Sequence, residues 1–332
     1  MIELHHISKS FKVARRQPGI ASAFKSLFRP EYTRVQALDD ISFTIRPGEI
    51  VGYIGPNGAG KSTTIKIMSG ILVPDGGECR IMGYTPWRDR ATYVRHIGVV
   101  FGQRTQLWWD VPVIDSFEML RDIYNVPPQE YRRSLEQLSE TLELDGLLAT
   151  PVRQLSLGQR MRCEIAASLL HDPDILFLDE PTIGLDAVSK LAVRRFIRTI
   201  NQERGVTVIL TTHDMHDIEA LADRIIMIGK GKLLIDGKLS ELRSRFGSQK
   251  TVTIDYRSRP NEPVSFAAMH ELPGIQVLSM ANERAVLLVD VEQTNISEVL
   301  GRVSNHLEVV DVSITSQPIE EIVLNLYKEH QL

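Results

Sequence analysis

Two cysteines in a chain of 332 residues are too few for a disulfide framework or a four-cysteine metal site, so a reducing compartment is expected. Long apolar runs are missing too. The longest, such as Val206–Leu210 and Ile175–Leu178, have the length of buried strands and fall far short of the ~18–20 residues that span a bilayer. The N-terminal MIELHHISKSF carries charges and histidines where a signal peptide needs apolar residues. These absences predict a cytosolic protein whose membrane role, if any, comes through a partner. No excess of one charge sign exists either: 38 Lys+Arg face 42 Asp+Glu, and the pI is near 6.2. This argues against nucleic acid as the main partner, because such binding needs a clustered cationic face. What is present is an ordinary globular composition, 43% hydrophobic and 24% charged. The length suggests two domains at roughly 150 residues each.

From about residue 36 to 230, short apolar runs alternate with helical stretches. Gly48–Ile54, Ile97–Phe101, Asp174–Asp179, Val206–Thr212 and Arg224–Ile228 are apolar on consecutive positions, the pattern of a parallel sheet covered on both faces. Residues from about 112 to 171 have helical texture and no clear strand, and read as a helical subdomain inserted into an α/β core. After a polar connector, Arg243–Lys250, come strands at Thr251–Tyr256, Gln276–Ala281 and Arg284–Asp290. A helix over Ile296–Asn305, a strand at Val309–Thr315 and a last helix from Ile319 complete a small α+β domain. The expected division is 1–240 and 241–332. One segment stands out for charge. Residues 14–34 hold five basic residues and one acid, with Ile20, Phe24, Leu27 and Phe28 at helical spacing. It reads as a solvated excursion between two strands, or as a basic amphipathic helix meeting a membrane or membrane partner.

Chemistry enters with Gly55-Pro56-Asn57-Gly58-Ala59-Gly60-Lys61-Ser62, which fits G-x-x-x-x-G-K-[ST] between an apolar strand and a helix. Glycines let consecutive N–H groups turn inward around phosphate oxygens, and the helix N-terminus adds a favourable dipole. Lys61 is placed to reach the β- and γ-phosphates and Ser62 to ligate Mg²⁺, with Thr63 next in the nucleotide-binding set. Ile175-Leu176-Phe177-Leu178-Asp179-Glu180 then delivers two acids at the C-terminal end of a strand, where α/β sheets bind ligands. Asp179 suits Mg²⁺, held through water, and Glu180 suits orienting the attacking water. A mere helix cap is the plainer alternative for this segment taken alone.

Leu155-Ser156-Leu157-Gly158-Gln159 stands 23 residues before Asp179, Asp186 follows the acids, and His213 stands 33 residues after Glu180 at the end of an apolar run. In this order the set resembles the ATP-binding subunits of ABC transporters, over roughly residues 2–240. The resemblance implies a P-loop NTPase core, ATP and Mg²⁺ as cofactors, and a head-to-tail homodimer or heterodimer of ATPase subunits. Each ATP would lie between one subunit's phosphate loop and the other's signature, here Ser156, Gly158 and Gln159. It also implies that His213 contacts the γ-phosphate and that Asp186 crosses the dimer interface. Gln103 would be the Mg²⁺-linked glutamine, with Gln106 as fallback, and Phe11 would stack on adenine, with Tyr32 as its alternative. Leu157 departs from the glycine usual at its place. The adjacent Trp108 and Trp109 lie near the groove where the family docks its permease, and read as core or as partner surface. Cys163 reads as a small buried apolar residue. The finer resemblance is to multidrug exporter ATPases of the daunorubicin and viologen type. It implies separately encoded transmembrane permeases and a place on the inner face of the cell membrane. The alternative is a soluble ABC ATPase acting without a permease, in translation or repair.

Overall fold

A computed structural model describes residues 1–14, 32–102, 104–246, 249–257, 272–281, 283–316 and 318–329. The chain divides into two units, Met1–Gly237 and Lys238–Gln331.

The first unit opens with β1 (Ile2–Ala14) and β2 (Tyr32–Ile45), which pair antiparallel from Ile2↔Ile45 to Ala14↔Tyr32. The basic segment's expected helix, with Ile20, Phe24, Leu27 and Phe28, lies outside the described residues. The chain continues through β3 (Ile50–Ile54), α1 (Lys61–Met68), β4 (Gly76–Ile81), a short α2 (Arg90–Tyr93) and β5 (Ile97–Phe101). It then runs through α3 (Val113–Tyr124), α4 (Pro128–Leu142) and α5 (Leu157–Leu169), with no strand among them. β6 (Ile175–Asp179), α6 (Ala187–Arg204), β7 (Thr207–Thr211), α7 (Met215–Leu221), β8 (Arg224–Gly229) and β9 (Lys232–Lys238) follow.

The strands form a six-stranded sheet in the order β5-β6-β7-β3-β8-β9 and a three-stranded sheet in the order β2-β1-β4. Pairing from β5 through β8 is parallel. Every residue of β3 and β7 is buried, as their unbroken apolar runs require. One core joins Ile2, Leu4 and Ile41 of the small sheet to Tyr53, Phe177 and Ile209 of the large one. Strand order is what assembles the site. β7 lies between β3 and β6, so three loops leave neighbouring strands at one sheet end. In the helical stretch, Val113, Phe117 and Leu120 of α3, and Tyr131, Leu138 and Leu142 of α4, turn inward at helical spacing.

The second unit holds α8 (Leu239–Phe246), β10 (Gln249–Arg257), β11 (Ile275–Ala281), β12 (Arg284–Asp290), α9 (Ile296–His306), β13 (Glu308–Ser316) and α10 (Ile319–Glu329). Its antiparallel sheet has the order β11-β12-β10-β13. Val252, Ile254 and Tyr256 alternate inward from β10, as do Ala285, Leu287 and Val289 from β12, against Val299 and Val303 of α9.

Three expectations need correction. The first residues of the expected connector, 243–246, belong to α8, because Leu239 and Leu242 are both buried and give that polar stretch an inward face. Strands β4 and β9 were not anticipated: Gly-Gly-Glu opens one and Asp-Gly closes on the other, and both compositions read as turns. The strand expected from Gly48 starts at Ile50, since Gly48 sits in a turn with φ +76°.

Candidate functional site

The phosphate loop runs from the end of β3 into α1. Gly58 and Gly60 take φ values of +79° and +111°, which only glycine adopts at low cost. A Cβ on Gly60 would also stand 2.6 Å from the Ala37 carbonyl, so this position is closed to side chains twice over. Lys61 is buried and its Nζ donates to the carbonyls of Gly55 (2.7 Å) and Pro56 (3.2 Å). Burial pushes its ammonium below the usual value, and the carboxylates of Glu180 and Asp179 oppose that shift.

The acid pair at the end of β6 meets this loop directly. Ser62 Oγ donates to Asp179 Oδ2 at 3.1 Å, and Thr211 Oγ1 donates to Asp179 Oδ1 at 2.5 Å. Thr211 ends β7 opposite Asp179 in the parallel register, which fixes this contact. Glu180 has φ +58°, a conformation that strains a non-glycine residue, and its N–H donates to the Thr211 carbonyl at 2.9 Å. His213 Nε2 lies 2.5 Å from Glu180 Oε1. Ser62, Asp179, Glu180 and His213 are thus brought together in one cluster. Thr211 joins them, and only its place at the end of an apolar run hinted at it. A cavity of about 280 Å³ is lined by Ser62, Lys66, Gly102, Arg104, Asp179 and Glu180. A larger cleft of about 900 Å³ opens at the opposite strand ends, beside His171 and Arg204. Parallel sheets bind ligands at their C-terminal ends, which favours the smaller cavity.

Ser156 caps α5. Its hydroxyl accepts from the Gln159 N–H (3.2 Å), while Gln159 Oε1 accepts from the Ser156 N–H (2.9 Å). The Gln159 amide is therefore already satisfied within the chain, whereas the Ser156 hydroxyl keeps its own proton to donate. A Cβ on Gly158 would collide with the Ser189 side chain, and the Leu157 side chain packs on Gly184. Asp186 caps α6, accepting from Ser189 N–H and Oγ, both at 2.9 Å, and these bonds hold its carboxyl below the usual range. The signature and the 184–189 turn are thus packed together within one chain.

Gln103 lies outside the described residues. The neighbouring Gly102 donates to the Asp179 carbonyl at 2.7 Å. The fallback, Gln106, is committed elsewhere: its Nε2 donates to the Glu164 carbonyl of α5 at 3.0 Å. Trp108 and Trp109 are 40% and 50% exposed, so they are surface and not core. Phe11 is also exposed, on β1 opposite Val35, with Lys9 Nζ 5.8 Å from its ring centroid; Tyr32 is more exposed still. Cys79 and Cys163 are buried, which pushes both thiols up to about 12. A buried polar cluster behind His213 gave no signal in the sequence. Asp217, fully buried, accepts from Arg194 Nε (2.5 Å), from Thr212 Oγ1 (3.0 Å) and from Thr182 Oγ1. Lys190 and Asp214 pair beside it at 2.6 Å.

Oxygen donors beside a glycine cradle, an acid and a histidine form a site for a nucleoside polyphosphate, and comparison with known proteins agrees. Residues 38–183 match the family model described as "ABC transporter". The ABC transporter ATP-binding protein NatA of Bacillus subtilis is 32% identical over 229 residues, covering 69% of this chain and 92% of that protein. The probable multidrug ABC transporter ATP-binding protein YbhF of Escherichia coli is 36% identical, covering 63% of this chain and 36% of that protein. ABC transporter A family member 1 of Dictyostelium discoideum is 30% identical, covering 83% of this chain and 32% of its own length. The chain therefore spans about a third of these last two relatives. Among solved structures, the dimeric post-hydrolysis state of the ATP-binding cassette MJ0796, bound to ADP and Pi, is 28% identical with a TM-score of 0.60. It matches 72% of this chain and 99% of its own. The chain belongs to the ABC transporter family, as an ATP-binding, ATP-hydrolysing cassette.

Proposed function

We propose that this chain is the ATP-hydrolysing subunit of a membrane exporter, working as a head-to-tail pair of cassettes on separately encoded permeases at the inner membrane face. The observation that carries the catalytic part is the cluster of Ser62, Asp179, Thr211, Glu180 and His213 at the ends of three adjacent strands. Phosphates bind in the loop Gly55–Thr63, whose N–H groups and Lys61 meet their charge. The donors around Ser62 Oγ and Asp179 are hard oxygens at bonding separation, which suits Mg²⁺. Bound there, Mg²⁺ would screen the β- and γ-phosphate charge, with Ser62 as direct ligand, Asp179 reaching it through water and Gln103 completing the set. Glu180 takes the proton of the attacking water, and His213 steadies Glu180 and the γ-phosphate.

The signature Ser156–Gln159, which precedes the acid pair in sequence, and Asp186, six residues after Glu180, serve the partner's nucleotide. Their exposed helix N-terminus and the dimeric state of the MJ0796 cassette support that reading. Adenine rests on Phe11. The exposed Trp108 and Trp109 meet the permease. Export is favoured by the likeness to YbhF, a probable multidrug ABC transporter ATP-binding protein. No helix among the described residues is long and apolar enough to cross a membrane, which fits a division of labour with another chain. Purification from detergent-solubilised membranes tests the assembly: a polytopic permease should accompany this chain, and its absence would favour a soluble ATPase.

A further inference from the structure

The segment Arg104–Val111 is fastened along α5 and the turn before it. Glu164, 4% exposed on α5, accepts hydrogen bonds from the Thr105 hydroxyl and, at 3.1 Å, from the Gln106 N–H. Its own carbonyl accepts from Gln106 Nε2 at 3.0 Å. One turn earlier on the same helix, the Arg160 guanidinium lies 5.8 Å from the Trp109 ring centroid. The main chain adds Arg153 N–H to Trp109 O (3.0 Å) and Val152 N–H to Val111 O (3.1 Å). At the other end of the segment, Arg104 N–H donates to Phe101 O (2.9 Å), and Gly102 N–H donates to Asp179 O (2.7 Å).

A buried carboxylate is an expensive way to fill a helix position, since an apolar residue of similar size would pack there without a desolvation cost. What the carboxylate adds is direction: two acceptor oxygens aimed at two donors of one segment. Thr105 and Gln106 are 59 and 58 residues away in sequence, so this is a tertiary strap and not a local turn.

We propose that Glu164 is a positioning residue that ties the acid-pair end of β6, through Gly102 and Arg104–Trp109, to the signature helix of the same chain. In a head-to-tail pair this links the acids of one ATP site to the signature serving the other. The exposed Trp108 and Trp109 sit on the strap itself, so a partner pressing there would reach both. The inference rests on the cassette reading of Ser156–Gln159 and Glu180 given above.

The test combines turnover with amide exchange in the full chain. Glu164→Ala is expected to lower kcat about tenfold with half-saturating ATP within about twofold, the size of effect seen when a coupling contact outside the site is lost. The Gln106 and Leu107 amides should exchange at least about tenfold faster. Glu164→Gln keeps an acceptor for Gln106 and should stay close to the parent in both readouts. Thr105→Val removes the bond to Glu164 at an exposed position without opening the core and covers the case in which Glu164→Ala does not fold. Because the same hydroxyl also accepts the Leu107 N–H at 3.1 Å, this variant is read at kcat and at the Gln106 amide alone. Combined with Glu164→Ala it should add no further loss, because both act on one strap. Unchanged exchange at these amides, or faster exchange with kcat unaltered, would overturn the proposal. Activity surviving Glu180→Gln would instead overturn the underlying site reading, so the two failures are distinguishable.

Discussion

His213 Nε2 stands 2.5 Å from Glu180 Oε1, and Glu180 holds this position with a left-handed backbone anchored to the Thr211 carbonyl. The carboxylate is aimed from a strained but fixed main chain, which suits the proposed role of accepting a proton at one point in space. Glu180→Gln keeps size and removes the base. It should lower kcat by about 10³-fold with ATP binding unchanged, measured by phosphate release and by nucleotide titration. His213→Ala should lower kcat by at least about tenfold without lowering ATP affinity to the same degree.

Thr211 binds both acids at once. Its hydroxyl donates to Asp179 at 2.5 Å and receives the Glu180 N–H at 3.2 Å, from a fully buried position. Thr211→Val keeps the shape and leaves Asp179 short of one donor. The expected cost is about 1 kcal/mol of stability by denaturant unfolding. The Mg²⁺ concentration giving half-maximal turnover should shift, because Asp179 is no longer held toward Ser62. An unchanged Mg²⁺ profile would mean that Ser62 alone orients Asp179.

The contrast between Thr211 and Asp179 shows what sequence reading reaches. Asp179 follows four apolar residues and precedes another acid, and Lys61 closes a glycine loop, so each carries its own pattern. Thr211 matters only because β7 lies between β3 and β6, an order no local pattern states. The same holds for Glu164, whose partners are nearly sixty residues away. The helix over 239–246 was hidden for another reason: its inward face is two leucines wide, and polar composition outweighed them. The second unit was easier, since in β10 and β12 alternate residues are buried, the period-two signal of a sheet covered on one face.

His171 gives the first unit a pH-dependent stability. Its Nε2 donates to the Ile97 carbonyl at 3.0 Å, its ring stacks on Tyr124 with centroids 3.9 Å apart, and burial pushes its pKa from 6.5 to about 4. The unfolded chain takes up this proton near its ordinary value, while the folded chain resists it. Stability from this group is therefore complete above pH 6.5 and falls as the pH drops toward about 4. The full loss amounts to about 3 kcal/mol. His171→Gln keeps an N–H for Ile97 and cannot titrate. The difference between the two unfolding curves should be flat above pH 6.5 and slope below it.

Asp217, on α7 four residues after His213, ties together the surroundings of that histidine. Fully buried, it receives Arg194 Nε at 2.5 Å and the hydroxyls of Thr212 and Thr182, so it joins three segments around the site: the turn after Glu180, helix α6 and the strand end before His213. Removing one partner of such a pair strands the other, which costs more than the pair contributes. Asp217→Ala should therefore destabilise the first unit by about 3 kcal/mol, and Asp217→Asn by about 1–2 kcal/mol, since its amide oxygen still accepts one bond. Arg194 also lies 3.5 Å from Asp214 and so keeps an acid partner in Asp217→Ala, whereas Arg194→Ala strands the fully buried Asp217 and should cost at least as much. The double variant should lose less than the sum of the two in urea unfolding, because the second substitution removes the charge that the first left unpaired. Additive losses would mean that Arg194 and Asp217 are stabilised independently, by Asp214 and by the two threonines.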